Sequence, residues 1–519
     1  MKFTCKRVSV LLFLTASCLV TLLGRIYFDQ MFNKVMNSQI QKNMALKNGT
    51  ESFKNWVKPP VPVLFQIYLF DVVNAMEVVT KNEVPVVMEK GPYVYKLIVE
   101  KEDIKIHDNH TIQFRQPEAY VFDREASVGP ETDTVTSLNC LFYILAQSLK
   151  HQPAIVQEAV SSLFTMQGDG AFVTKSLRDI WWGYDDKVLK ELAELLERLH
   201  VNVTIPSKFG FNLDKNNTDA GLLNIYSGTS GNFENFEVID RWNGLRKLKV
   251  WNSHYANRIV GTDSSAQPPP LKKYKNLSFF DPHLQRSFNL DYTKSTKVGG
   301  VDAYHYVIPY SDFASAEDNP NNAGFCTPDV THCLPSGSFN LSITAQGAPL
   351  VLSMPHFVGG DPIYQKQVRG LRPSQKKHQP FIEYHPLTGV NLHSARRYQI
   401  VMHLKQMEHF TAFKNVRDTF LPIMWIDGTG RIDNATLHLF KTKMQDFIDS
   451  MVYVKAALVV IVCLTALMAI GLVLYWRKKD KKKGGIARSS SDDRLLLPHP
   501  RGEINTSYDD YRHLSAVTT

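Results

Sequence analysis

The sequence predicts an α+β protein, in which a large β-rich outer domain carrying a helical cluster is anchored by two terminal transmembrane helices. Three observations predict it. Uncharged runs of 17 and 21 residues lie near the two ends, Val8 to Gly24 and Ala456 to Trp476. Most apolar segments between them are rich in β-branched and aromatic residues and bounded by Gly, Pro and Asn, the pattern of strands. Only residues 134–200 depart from it, with apolar residues at helical spacing.

Taken in order, the first run follows Lys2, Lys6 and Arg7 and extends through Arg25 to Phe28. Residues 8–28 therefore just span a bilayer core of ~30 Å. Small residues at Thr15, Ala16, Ser17 and Cys18 leave a cleaved signal peptide as the competing reading. The second span, residues 455–476, runs straight into Arg477, Lys478, Lys479, Lys481, Lys482 and Lys483. Basic flanks stay in the cytosol. Residues 1–7 and 477–519 are thus expected to be cytoplasmic, and residues 29–454 extracellular or luminal. The formal net charge of +9 divides accordingly, with +3 before the first span and +4 after the second. That basicity reports topology and attraction to anionic lipid rather than a nucleic-acid surface.

The outer segment holds seven N-x-S/T sites, at Asn48, Asn109, Asn202, Asn216, Asn276, Asn340 and Asn434, a density that suits a secretory-pathway domain. Of the six cysteines only Cys140, Cys326 and Cys333 face the oxidising side. Cys326 and Cys333, with Pro328 between them in a polar loop, are close enough to close a small disulfide ring. Cys140 is left as a free thiol, or less simply as an intermolecular bridge. Cys5, at the inner membrane edge, is a candidate for palmitoylation.

Phe32, Val35, Met36, Ile40 and Met44 continue the first span outward as a helical stalk, and Leu437, Phe440, Met444, Phe447 and Met451 lead into the second span in the same way. The two stalks are expected to pack side by side. Strands are expected at Val63 to Phe70, Tyr93 to Val99, Ala303 to Tyr310, Leu350 to Met354 and Tyr398 to Leu404. Helices are expected where Val135, Leu138, Phe142, Leu145 and Leu149 share a face, and over Asp185 to His200. In the latter, Lys187 with Glu191 and Glu194 with Arg198 form i,i+4 pairs. The mixed charge of this cluster fits a solvated face or a binding face equally. A single domain of this size leaves space for an internal cavity.

Catalysis finds no candidate residues and no cofactor is called for. The chain has no G-x-x-x-x-G-K-[ST] loop, G-x-S-x-G elbow or H-E-x-x-H helix. Asp427, Gly428, Thr429 and Gly430 could supply one phosphate loop of the ectonucleotidase kind, but a β-turn is the plainer reading. His403 with His409, and His378 with His385, lack zinc-ligand spacing. Neither membrane run carries an ionisable residue to line an ion path, apart from Arg25 at an end.

Eight strings recur in order: YLFDVVN from Tyr68, EKGPYVY from Glu89, LRDIWWGY from Leu177, NNTDAG from Asn216, IVGTD from Ile259, MPHF from Met354, HPLTGVNLHSARRYQIVMHLK from His385 and LPIMWID from Leu421. Between two terminal spans they resemble the class B scavenger receptor family over residues 5–476. Its members include a platelet fatty-acid translocase, a high-density-lipoprotein receptor and a lysosomal integral membrane protein. The resemblance implies an antiparallel barrel-like body pierced by an apolar tunnel, with residues 134–200 as the ligand-facing apex. Two departures stand out. Vertebrate members have three disulfides in the region 250–350, whereas here Tyr255, Gln285, Gly324 and roughly Gln346 take the places of the other partners. The translocase's lysines before LRDIWWGY are replaced near Met166 and Gly168, which puts fatty-acid recognition by those lysines in doubt.

The tail is rich in Gly, Ser, Asp and Arg and offers two sorting patterns. Asp492 with Leu496 and Leu497 fits D-x-x-x-L-L, and Tyr511 with Leu514 fits Y-x-x-Φ. The expected function is a receptor that binds lipids, lipoproteins or lipid-bearing debris, transfers lipid, and is internalised through clathrin adaptors, with cell-surface and endosomal or lysosomal membranes as its location. The alternative is a lysosomal membrane protein that exports lipid or escorts a luminal hydrolase. An adhesion or chemosensory co-receptor is the third reading.

Overall fold

The computed structural model describes residues 5–60, 63–201, 203, 205, 208–231, 233–273, 276–345, 347–442 and 446–492. It divides into two compact units, residues 1–33 with 447–519, and residues 34–446.

The first unit is helical. Helices Cys5–Met44 and Asp446–Asp492 contain stretches long and apolar enough to cross a membrane, as a two-pass topology requires. Their apolar side chains point outward, with Leu12, Phe13, Leu464 and Leu467 more than half exposed. Between the two helices Lys455 Nζ lies 5.0 Å from the centre of the Phe32 ring.

The second unit is built on an eleven-stranded antiparallel sheet. Nine strands follow one path: Leu277–Asp281, Arg286–Val298, Val301–Val307, Phe381–Tyr384, Asn391–Leu404, Thr419–Arg431, Val63–Val72, Val87–Val99 and Glu118–Asp123. Ser338–Asn340 and Leu350–Ser353 join it alongside Asn391–Leu404. The sheet rolls without closing. Arg396, on the fifth strand, holds its guanidinium carbon 5.8 Å from the ring of Phe279 on the first, and Glu118 on the ninth strand meets His283, just past the first, at 3.2 Å. The two edge strands do not pair with each other, so the barrel is incomplete. The cause is local. The free edge of Glu118–Asp123 is already taken by residues 216–218, through Asn217 N to Glu118 O at 2.8 Å and Tyr120 N to Asn216 Oδ1 at 2.9 Å. A four-stranded sheet, Ile239–Trp242, Leu223–Tyr226, Thr111–Arg115 and Glu102–Ile106, accompanies it.

Three sequence expectations need correction. Residues 134–149 are not one helix. Thr134–Leu138 is a strand paired with Phe172–Ser176, and the helix Cys140–Ser148 starts only after Asn139, whose side chain accepts the Phe142 N–H at 3.1 Å. The β-branched run Thr134, Val135, Thr136 favours the strand, and the Asn cap sets the boundary. Asp427, Gly428, Thr429 and Gly430 are not a turn but the end of the strand Thr419–Arg431, paired on both sides. Finally, Leu437 and Phe440 pack against Val298, Val301, Ala303 and Leu392. The helix Asn434–Phe440 therefore docks on the sheet through the first two residues of the expected stalk, while Met444 lies outside the described residues.

Candidate functional site

The face around which the sheet rolls is set by strand register. Arg396 stands opposite Gly428, which stands opposite Phe65, and Tyr398 opposite Ile426, which stands opposite Ile67. Directly paired residues share a face, so these side chains point the same way. One large apolar cluster joins the helices Cys140–Ser148, Ala154–Met166 and Lys187–Arg198 to the strands Val63–Val72 and Thr419–Arg431, a second joins Leu277–Asp281, Arg286–Val298 and Phe381–Tyr384 to the four-stranded sheet, and Tyr398 and Leu350 pack against both.

Phe65, Ile67 and Ile426 on this face are buried, but the stretch of the fifth strand beside them stays accessible. Arg396 is exposed and Tyr398 and Ile400 are half-buried, although they lie mid-strand in the core of the sheet. Gly428 adds no side chain, and a Cβ built there would meet nothing closer than 3.7 Å. The inner face thus keeps an accessible hollow at these residues, bordered by both clusters, with a polar belt around it. Glu118 accepts from Tyr120 Oη at 2.7 Å and pairs with His283 Nε2. Arg396 Nη2 donates to the Asp263 carbonyl at 2.9 Å and to Ser264 Oγ.

The belt's charges are coupled. Burial pushes the Glu118 carboxyl upward, but hydrogen bonds from His283 and Tyr120 and the positive charges of His283 and Arg396 hold it below its ordinary value. Burial lowers His283, yet the bond to Glu118 and its charge raise it overall. Burial, then the carboxylates of Asp281 and Glu118, raise the Tyr398 phenol, which stays protonated. The belt offers donors and a carboxylate acceptor to a polar group, and the two clusters offer apolar walls.

Over this body sit the helices Cys140–Ser148, Ala154–Met166, Leu177–Trp182 and Lys187–Arg198. Ser176 and Asp179 cap the third reciprocally, and Asp186 caps the fourth. Beneath them lies a small cavity of ≈ 20 Å³ lined by Leu138, Cys140, Ile180, Phe209 and Phe211, with Lys175 at its polar side and Lys175 Nζ 3.9 Å from the Tyr184 ring centre. On the outside Ile155 and Met166, at opposite ends of the helix Ala154–Met166, are 73% and 84% exposed. Neither predicted i,i+4 pair closes among the described residues, because Glu191 accepts from Gln167 Nε2 at 2.9 Å instead.

Cys326 and Cys333 are bonded, and Cys140 is a buried free thiol whose pKa burial pushes up to about 12. Asn48, Asn109, Asn216, Asn276 and Asn434 are exposed. Asn340 is half-buried, with its amide donating to Thr327 O and its carbonyl accepting from Ser342 N. Asn202, Leu496, Leu497, Tyr511 and Leu514 lie outside the described residues. Asp492 ends the helix that contains the second span, and Cys5 begins the first helix. His403 binds Asp418 at 2.7 Å, His409 binds Glu158, and His378 stacks on His356. No metal-type cluster of His, Cys, Asp or Glu occurs among the described residues. Sequence reading missed the belt residues Glu118, His283, Arg396 and Tyr398. The signal available was the pair Arg396 and Arg397 inside a strand pattern, where one of two successive cations must face inward.

A rolled antiparallel sheet carrying a helical cluster, in a chain with two helices long and apolar enough to span a membrane, defines a two-pass membrane protein with a large folded domain between its spans. The chain belongs to the CD36 family, whose sequence profile matches residues 13–473. It is 32% identical over 501 residues to lysosome membrane protein 2 of Homo sapiens, covering 95% of this chain and 98% of that protein. It is 29% identical over 485 residues to scavenger receptor class B member 1 of Bos taurus, covering 91% and 93%.

Proposed function

We propose that the protein is a receptor, not an enzyme, that binds lipids, lipoproteins or lipid-bearing debris at its helical top and passes lipid through the hollow toward the bilayer. The observation that carries this is the unfilled inner face at Arg396, Tyr398 and Ile400 between two apolar clusters. An acyl chain crossing water costs ~0.8 kcal/mol per CH₂, and a covered apolar path removes most of that cost.

In this reading residues 1–7 and 477–519 are cytosolic, 29–454 face outward or the lumen, and glycans sit on the exposed sequons, with Asn202 and Asn340 as further acceptors. Cys5 is an acylation site, and the dileucine and tyrosine patterns of the tail recruit clathrin adaptors for endocytosis. The second reading, a lysosomal lipid exporter or escort of a luminal hydrolase, is favoured by the similarity to lysosome membrane protein 2 together with the acidic dileucine.

The test of lipid transfer is Gly428→Phe, which places a ring in the hollow. Uptake of a fluorescent lipid by cells expressing the full chain should fall several-fold while surface amount and ligand binding at the top stay unchanged. Undiminished uptake would sink the transfer reading. Surface biotinylation of the parent beside Leu496→Ala/Leu497→Ala separates the two locations: a lysosomal parent and a surface variant favour the second reading.

A further inference from the structure

Arg286 begins the strand Arg286–Val298, and only 2% of it is accessible. Its guanidinium is enclosed by aromatic rings. The central carbon lies 3.8 Å from the ring centre of Phe325, 4.6 Å from Phe339, 5.2 Å from Phe288 and 6.0 Å from Phe313. Rings engage the face of a guanidinium and leave its N–H edge in plane without acceptors. On that edge Nη2 donates to the Asp312 carbonyl, and Nε, wholly buried, has no acceptor among the described residues.

The nearest acid does not neutralise this cation. The Asp312 carboxylate accepts from Asn289 N at 2.7 Å and Asn289 Nδ2 at 2.8 Å, and forms no ion pair with Arg286 within 4.0 Å. Burial draws the Arg286 pKa down to about 10, against the opposing pull of Asp312 and Tyr255, so the group keeps its charge at neutral pH. A buried charge without a partner is among the costliest features a fold can carry.

Beside the guanidinium is a cavity of ≈ 20 Å³ lined by Arg286, Asn322, Phe325, Cys326, Ser338 and Asn340. That volume is enough for one water-sized or monatomic species. We propose that Arg286 and this cavity, next to the Cys326–Cys333 disulfide, bind a single chloride ion. The ion neutralises the guanidinium, gives its free N–H edge an acceptor, and fastens the disulfide loop to the strand that Arg286 begins. Asp312, Ser315 and His332 line the cavity as well, and because the Asn322 amide donates to the Ser311 and Ala314 carbonyls and the Ser338 hydroxyl is bonded to Tyr364, the Nε–H of Arg286 is the donor that the ion takes up.

The full chain in detergent micelles provides the test. Its melting midpoint in sodium chloride should exceed that in sodium gluconate at equal ionic strength by about 2 °C or more, rise saturably with chloride, and respond equally to bromide. Arg286→Met should abolish the difference between the two salts. Because that variant can also loosen the loop by itself, the wild-type protein supplies an independent readout: crystals soaked in bromide should show an anomalous peak beside Arg286 Nε. A wild-type midpoint indifferent to halide, or a soaked crystal with no bromide in this cavity, means that the site holds water only and overturns the proposal.

Discussion

Arg396 and Arg397 are neighbours on one strand and meet opposite fates. Arg397 lies on the covered outer face, where Nε donates to Asp427 Oδ2 at 2.9 Å and Nη1 to the Gln379 carbonyl at 3.1 Å. Its side chain and that of Asp427 are only 12% and 10% exposed. Arg396 points into the hollow, where it remains exposed. The outer face consumes its polar groups in structure: Gln399 accepts the His356 N–H at 2.8 Å and donates to Ser353 Oγ, and Glu383 bridges His305 and His393 at 2.9 Å each. The inner face keeps polar groups accessible. A strand can thus be a structural clamp on one side and an accessible polar surface on the other.

Breaking the outer pair should have the largest effect. Arg397→Ala strands the Asp427 carboxylate in a nearly buried site and should cost about 3–5 kcal/mol, read as a melting midpoint lower by several degrees. Arg396→Ala should cost under ~1 kcal/mol while changing which lipids co-purify with the protein. Equal destabilisation by both would erase the contrast. Next in size, Gln399→Leu leaves the His356 N–H unpaired at a residue already held at φ 53°, and should cost about 1–3 kcal/mol.

Glu383 sharpens the comparison through pH. Burial alone would raise its pKa, but hydrogen bonds from His305 and His393 and their charges bring it from 4.5 down to about 2. A depressed carboxyl stabilises the fold fully above its unfolded value and loses that contribution as pH falls through the folded one. The deficit of Glu383→Gln should therefore be complete at neutral pH and fade between about pH 4.5 and 2 in thermal scans. The smallest effect belongs to the belt. His283 is raised above 6.5, so its contribution is full below 6.5 and declines as pH rises through the folded value, while Glu118, depressed below 4.5, contributes only above that range. The deficit of His283→Asn should peak between about pH 4.5 and 6.5 and shrink as pH rises further. A deficit that grows toward pH 8 contradicts this pairing.

Much of the fold was legible because its signals are local. Uncharged runs and their basic flanks mark the terminal helices, and β-branched content marks Val63–Val72 and Asn391–Leu404. The small ring closed by Cys326 and Cys333 needs only seven residues of chain. Local signals also misled. Val135 and Leu138 stand at helical spacing with Phe142, but only pairing with Phe172–Ser176 converts them to a strand. The glycines of Asp427 to Gly430 read as a turn because nothing nearby in the chain reveals strands on both sides of them.

What the sequence determined by itself was therefore the order of elements, the two spans and the family. Which arginine faces the hollow, that Gly428 keeps it open, and that Arg286 is caged without an acid partner were decided only by tertiary structure. The physical reason is the two-residue period of a strand. It says that adjacent side chains take opposite faces, but the direction in which the sheet rolls chooses the inner one. That direction is set by contacts such as Glu118 with His283, which join residues 165 positions apart.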